Sequence, residues 1–242
     1  MVKAYDLNIL FNTEVKSLKS NQKGFKIKTS EVTFTAKYVV VATGFYDKPR
    51  LLNVPGENLS KVKHYYDEAH PYIGQKVMVV GAANSACDVA LETWQKGAQV
   101  TMVVRKSTLY EKVKYWILPN IQNRINEGSI TAYFNSEIKE IKEKSVLIQT
   151  EEGIREIEND YVLAMTGYKP DFELMRKFGI QFSNDKDKIP IYNEGSLESN
   201  VSNLYLAGVI LSGMKTSTLF IENTRTHGEI IIKDLIYKNS IA

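Results

Sequence analysis

Lys76-Val-Met-Val-Val80 runs directly into Gly81-Ala-Ala-Asn-Ser-Ala86-Cys-Asp88, and Gln99-Val-Thr-Met-Val-Val104 follows, ending on Arg105-Lys106. Two nearly unbroken apolar runs of this length suit strands buried on both faces. Between them a helix is expected from about Ser85 to Lys96, with Ala86, Val89, Ala90 and Thr93 along one face and Gly97 as its stop. Strand, small-residue turn, helix and strand make a βαβ unit. The expected fold class is therefore α/β, built on a parallel sheet.

The turn has the spacing Gly81-x-Ala83-x-x-Ala86. A first Gly permits a tight bend, a small second residue lets the backbone approach a pyrophosphate, and a small third residue lets helix and strand pack closely. A helix N-terminus adds unpaired N–H groups and partial positive charge to such a site. Asn84 and Ser85 offer side-chain hydrogen bonds at the same place. A purely structural turn uses the same small residues, and the βαβ context is what favours a dinucleotide.

The end of the second strand indicates which nucleotide. A carboxylate there would accept hydrogen bonds from a ribose 2′-OH; this strand ends instead in Arg105 and Lys106, 24 residues after Gly81 (105 − 81). Two cations suit a 2′-phosphate, so NADPH is expected. Ordinary solvated charges at a strand end are the alternative.

Two further strand ends, Val41-Ala-Thr43-Gly44 and Ala164-Met-Thr166-Gly167, flank the βαβ unit on either side. Glycine permits such turns to pass close to a bound dinucleotide. Their symmetric placement looks like one domain inserted into another. Upstream, Leu7 to Leu18, Gly24 to Thr29 and Glu31 to Ala36 alternate like strands, and Tyr38 to Ala42 reads as a central strand. Downstream, a helix is expected over Tyr115 to Glu127, then four short β-runs between Ser129 and Thr166. A short strand Leu204 to Ala207 and a helix from about Thr218 to Tyr237 complete the chain.

Composition sets outer bounds. The 242 residues are 43% hydrophobic and 24% charged, as in globular proteins, and 31 Lys+Arg against 28 Asp+Glu leave only +3, too little to argue for nucleic acid. A single cysteine, Cys87, forms no internal disulfide and no CxxC pair. Met1-Val-Lys-Ala-Tyr-Asp6 lacks the apolar run of a secretory signal, and no stretch of about 18 apolar residues is present to span a membrane. The expectation is a soluble, cytoplasmic protein.

Taken together, Tyr38-VVVATGFYDKP49, Val77-MVVGAANSACD88, Ala164-MTGYKP170 and Leu204-YLAGV209 resemble the thioredoxin-reductase-like flavoproteins. Within that group Val62-KHYYDEAHPY72, Lys114-YWILPN120 and Thr218-LFIENTRTHG228 are similar to the bacillithiol-disulfide reductase family. The resemblance implies two Rossmann-like domains, with FAD bound by 1–68 and 172–242 and NADPH by the inserted 69–171. It implies that NADPH reduces FAD by hydride transfer and that the flavin reduces a low-molecular-weight disulfide through a protein cysteine. Gly81, Ala83, Asn84, Ser85, Arg105 and Lys106 would hold NADPH, with Thr166 and Gly167 close to a dinucleotide. Val15, Thr43, Gly44, Gly208 and Val209 would contact FAD.

The chain departs from that pattern in two places. Family members open with a strand and a GxGxxG turn for the FAD pyrophosphate, whereas Met1 to Lys37 contains one glycine, Gly24. A βαβ unit of roughly 30 residues is expected to be absent. The reactive cysteine of the family lies in that turn, so no catalytic residue is assigned. Position 209 is Val where many related reductases carry Asp. The missing turn predicts that this chain alone binds NADPH but holds FAD poorly and reduces no disulfide, and the apolar surface left uncovered around Val39 to Ala42 predicts low stability or association into a homo-oligomer. A flavin-dependent monooxygenase and a non-catalytic NADPH-binding module are the alternative functions.

The remaining chemistry-bearing residues have plainer readings. Cys87 follows Ala86 on an apolar helix face and reads as a small core residue. His64, His70 and His227 show no metal-ligand spacing and read as surface or hydrogen-bonded residues. Tyr65, Tyr66, Tyr115 and Trp116 suit packing or the nicotinamide or disulfide entrance, and Lys112 and Lys114 suit a solvated face or an anionic thiol substrate.

Overall fold

The structure is a computed structural model, and it describes residues 3–21 and 23–240. Met1 and Val2, part of the stretch read as lacking a signal sequence, lie outside the described residues. The chain divides into two compact units, Met1–Lys48 with Tyr168–Ala242, and Pro49–Gly167.

The first unit begins with an antiparallel meander, β1 (Val15–Asn21), β2 (Gly24–Thr29) and β3 (Thr33–Ala36), followed by β4 (Val39–Val41). The strand expected from Leu7 starts only at Val15. Asn12 takes a left-handed φ of 54° and the Thr13 hydroxyl donates to the Phe11 carbonyl, so turn chemistry overrides the alternation. The chain leaves this unit through β5 (Lys48–Pro49).

The second unit holds a five-stranded, all-parallel sheet. Its strands are β6 (Val62–Lys63), β7 (Lys76–Val80), β8 (Gln99–Val103), β9 (Thr131–Tyr133) and, after a meander of β10 (Glu137–Ile141), β11 (Ser145–Thr150) and β12 (Gly153–Glu158), β13 (Tyr161–Ala164). The order across the sheet is β6-β13-β7-β8-β9. Helix α1 (Asn84–Gln95) joins β7 to β8 and α2 (Leu118–Asn126) joins β8 to β9.

Both faces of this sheet are covered, which accounts for its solid apolar strands. Val77, Val79, Val100, Met102 and Leu163 pack in one core with Ala86, Val89 and Ala90 of α1 and Ile121 of α2. Met78, Val80, Val103 and Val162 form the other core with Ile138, Ile141, Val146 and Ile148 of the meander. The second unit starts at Pro49, well before 69, because Leu52, Val54 and Leu59 pack onto the meander-side core and Val62 pairs with Val162. Buried Lys61 ties this segment down, its ammonium donating to the carbonyls of Lys142, Glu143 and Asn159.

The chain returns to the first unit through β14 (Tyr168–Lys169), α3 (Phe172–Lys177), β15 (Leu204–Leu206), α4 (Ile221–Thr224) and α5 (His227–Ser240). Strand β15 lies parallel to β4 with Leu206 opposite Val41. Two helices expected from the sequence differ. The one read over Tyr115 to Glu127 starts at Leu118, with Pro119 in its first turn, where the missing N–H removes no helical bond. The one read over Thr218 to Tyr237 is divided, because Asn223 turns its side chain back to the Phe220 amide and the Thr218 carbonyl.

Candidate functional site

The turn at Gly81 leaves no room for a side chain. Its φ is +143°, a Cβ there would lie 2.5 Å from the Met165 carbonyl oxygen and 3.0 Å from the Ala86 Cβ, and its amide donates to Val103 at 3.1 Å. The small residue at 86 is thus the direct neighbour of the glycine. Ala83 is the N-cap of α1 in an extended conformation with no side-chain cap, while its carbonyl accepts the Cys87 amide at 3.0 Å. With alanine at that position no side-chain oxygen takes up the first-turn amides, including those of Ser85 and Ala86. The helix end is open to an anion.

Asn84 sits at this turn, but its side-chain oxygen accepts the Lys114 amide at 2.8 Å. Its acceptor therefore holds the following loop in place. The same loop is tied a second time, by the Tyr110 amide donating to the Ala82 carbonyl at 2.9 Å.

Strands β7 and β8 run in register, Val80 opposite Val103, so Arg105 and Lys106 emerge at the same sheet edge as Gly81. Both are exposed, and among the described residues neither forms an ion pair. Their backbone is fixed by the Ser136 amide on the Val104 carbonyl and the Asn135 amide on that of Lys106. On the other side of β7, β13 carries Ala164 opposite Val80 and leads to Thr166 and Gly167. The Thr166 hydroxyl donates to the Arg50 carbonyl, and the Gly167 carbonyl accepts the Arg50 amide at 2.9 Å. These two residues brace the start of the unit, with Gly167 left-handed at φ +84°. Three neighbouring parallel strands thus end in the three turns expected from the sequence, at the carboxyl edge where open α/β sheets take ligands.

In the first unit, β4 leads to Thr43 and Gly44 (φ +70°), and β15 to Gly208 (φ +78°) and Val209. The Ala207 amide donates to Val41 at 3.0 Å, which aligns the two turns at one end of the strand pair. The Gly208 amide donates to Nδ1 of His227 at 3.1 Å. Val15 opens β1 and packs on the core of this unit.

A family model described as pyridine nucleotide-disulphide oxidoreductase matches residues 1–208. The chain belongs to that family. The bacilliredoxin reductase Bdr of Bacillus subtilis (strain 168) is 39% identical over 218 residues, covering 90% of this chain and 67% of that protein. Among solved structures, the bacillithiol disulfide reductases Bdr of Staphylococcus aureus and Bacillus cereus superpose with TM-scores of 0.95 and 0.94 at 38% and 36% identity. Each match covers 98% of this chain and 74% of the solved one. A thioredoxin reductase of T. acidophilum, 20% identical with a TM-score of 0.67, shares the fold.

In this pyridine nucleotide-disulphide oxidoreductase Cys87 is fully buried, its Sγ pointing to the Ala82 carbonyl at 3.9 Å. Burial, helped by neighbouring Asp88, pushes the thiol up to about 12, so it stays protonated at neutral pH. It belongs to the packing of α1. Burial also raises Asp88 itself, against the opposing pull of Lys114. Among the described residues no helix is long and apolar enough to cross a membrane.

Proposed function

We propose that the protein is an NADPH- and FAD-dependent reductase of a low-molecular-weight disulfide, of the bacillithiol type, working in the cytoplasm. One observation supports this more than any other. The uncapped first turn of α1 behind Gly81 lies on the strand next to the one that delivers Arg105 and Lys106, two cations without acidic partners among the described residues. The first-turn amides of α1 near Ser85 would hold the pyrophosphate of NADPH, and Arg105 and Lys106 would hold its 2′-phosphate. The kinship with bacillithiol disulfide reductases supports the choice of disulfide.

Gly44 and Gly208, left-handed turns at the ends of two paired parallel strands, suit the close backbone approach that a flavin nucleotide needs. FAD held there would supply the two-electron relay between NADPH and a disulfide, whose reduction to two thiols also takes up two protons. The role of the chain is to hold the nucleotides and exclude water. Its own cysteine, buried and protonated, takes no part in thiol exchange.

The test is a steady-state assay of the purified chain supplied with FAD, NADPH and bacillithiol disulfide. NADPH oxidation is expected to require both the flavin and the disulfide. Oxidation that tracks oxygen and a nucleophilic organic substrate, independent of disulfide, would assign a monooxygenase instead. Tight NADPH binding with no flavin retained would assign a nucleotide-binding module.

A further inference from the structure

The loop from Ser107 to Ile117 carries two large aromatic side chains in solvent, Tyr115 at 82% and Trp116 at 60% exposure. The exposure does not come from a loose segment. Val113 and Ile117, on either side, are buried in the helix-side core at 5% each. The Lys114 amide is held by Asn84 in the first turn of α1, and the Tyr110 amide by the Ala82 carbonyl in the turn after Gly81. The two rings pack edge to face, centroids 4.9 Å apart at 88°, and the Lys114 ammonium sits 5.2 Å above the Trp116 ring. A fixed aromatic pair with a cation on top is thus displayed on a loop sewn to the phosphate-binding turn.

We propose that Tyr115 and Trp116 form an aromatic shelf for the adenine base of the nucleotide whose phosphates rest at Gly81; this builds on the reading of that turn given above. Sheet topology selects the base. The loop leaves β8, the strand that delivers Arg105 and Lys106, and β8 lies on the opposite side of β7 from β13 and its Thr166-Gly167 turn. A dinucleotide lying across the carboxyl edge with its 2′-phosphate at Arg105 has its adenosine on the β8 side and its nicotinamide on the β13 side. Flat π faces stack on purines without needing any hydrogen-bond pattern. The Lys114 ammonium adds positive charge beside the phosphates.

Calorimetric titration of the full chain with NADPH, adenosine 2′,5′-bisphosphate and nicotinamide mononucleotide tests the shelf. Trp116→Ala and Tyr115→Ala are expected to weaken NADPH and the bisphosphate by similar factors, about tenfold or more each. Trp116→Phe should retain most of the affinity. Binding of the mononucleotide should not change, and unaltered thermal melting would show that each variant folds. Adenosine 2′,5′-bisphosphate is also expected to quench the indole fluorescence of the wild type and not that of Trp116→Phe, where Trp94 is the remaining tryptophan. Wild-type affinity in both alanine variants would overturn the shelf and leave the Gly81 site standing, the outcome expected if the pair instead docks a protein. Failure of the wild type to bind the bisphosphate or NADPH at all would overturn both.

Discussion

The backbone amide of Gly208 donates to Nδ1 of His227, 19 residues further along the chain, at 3.1 Å. An accepting Nδ1 carries no proton, so the bond requires the neutral imidazole with its hydrogen on Nε2. Burial acts in the same direction and lowers the His227 pKa from its ordinary 6.5. A depressed histidine pKa gives stability that is complete above the unfolded value and is lost as pH falls below 6.5 through the folded value. Thermal melting should therefore drop between about pH 7 and pH 5. His227→Gln, which offers an amide oxygen to the same donor without titrating, should flatten that decline. An unchanged slope in the variant would show that Gly208 does not depend on this histidine.

A polar cluster fastens α5 to β15. The Tyr205 hydroxyl donates to Asp234 at 2.5 Å, and the Lys238 ammonium reaches Glu198 at 2.6 Å, Tyr205 at 2.9 Å and Asp234 at 3.2 Å. Burial pulls Lys238 down, but its bonds to Glu198, Tyr205 and Asp234 outweigh this and raise it. Burial and then Asp234 push Tyr205 up to about 12. Raised values mean stability that is present below the ordinary 10.0 and 10.5 and is lost as pH climbs through the raised ones. Lys238→Met should cost about 1–3 kcal/mol in urea unfolding at neutral pH and weaken the alkaline limb of the stability profile. A variant as stable as wild type would remove the cluster from the account.

Gly81 has no room for a side chain. With φ at +143° and a Cβ only 2.5 Å from the Met165 carbonyl, Gly81→Ala must shift backbone against backbone. Backbone strain of this kind costs about 1–3 kcal/mol. Chemical unfolding should show the loss, and NADPH affinity should fall with it because α1 is displaced from the turn. Full stability in the variant would mean that the bend relaxes freely.

Cys87 is expected to be inert in the folded protein. Its fully buried thiol, pushed up to about 12, should react with a maleimide only as fast as the chain unfolds, and promptly in denaturant. Fast labelling in native buffer would contradict its assignment to the core. Cys87→Ala should leave NADPH affinity intact.

The Gly81 turn and the cationic strand end beside it were legible because their signals are local. Glycine, two alanines and the terminal cations lie within one βαβ unit, and each position follows from backbone geometry or charge. Interactions that reach across the chain were not legible. Asn84 and Lys114 stand 30 positions apart, which hides the bond by which the Asn84 side-chain oxygen also anchors the following loop. Thr166 and Arg50 stand 116 positions apart, which likewise hides the brace that the Thr166 hydroxyl makes to the Arg50 carbonyl. The start of the second unit at Pro49 depends on a meander more than 80 residues downstream, where the Lys61 ammonium meets Lys142 and Glu143. Local alternation at Leu7 to Glu14 misled because Asn12 takes a left-handed turn there. Pro119 gave no warning that Tyr115 and Trp116 stay outside the helix it begins.

Paired calorimetric titrations of the chain with NADPH and NADH, repeated on Arg105→Ala/Lys106→Ala, address the nucleotide site most directly. Tighter binding of NADPH than NADH by at least about tenfold is predicted for the wild type, and the double variant should lose that preference while keeping its affinity for NADH. Equal affinities for the two nucleotides in the wild type, or a preference that survives removal of both cations, would contradict it.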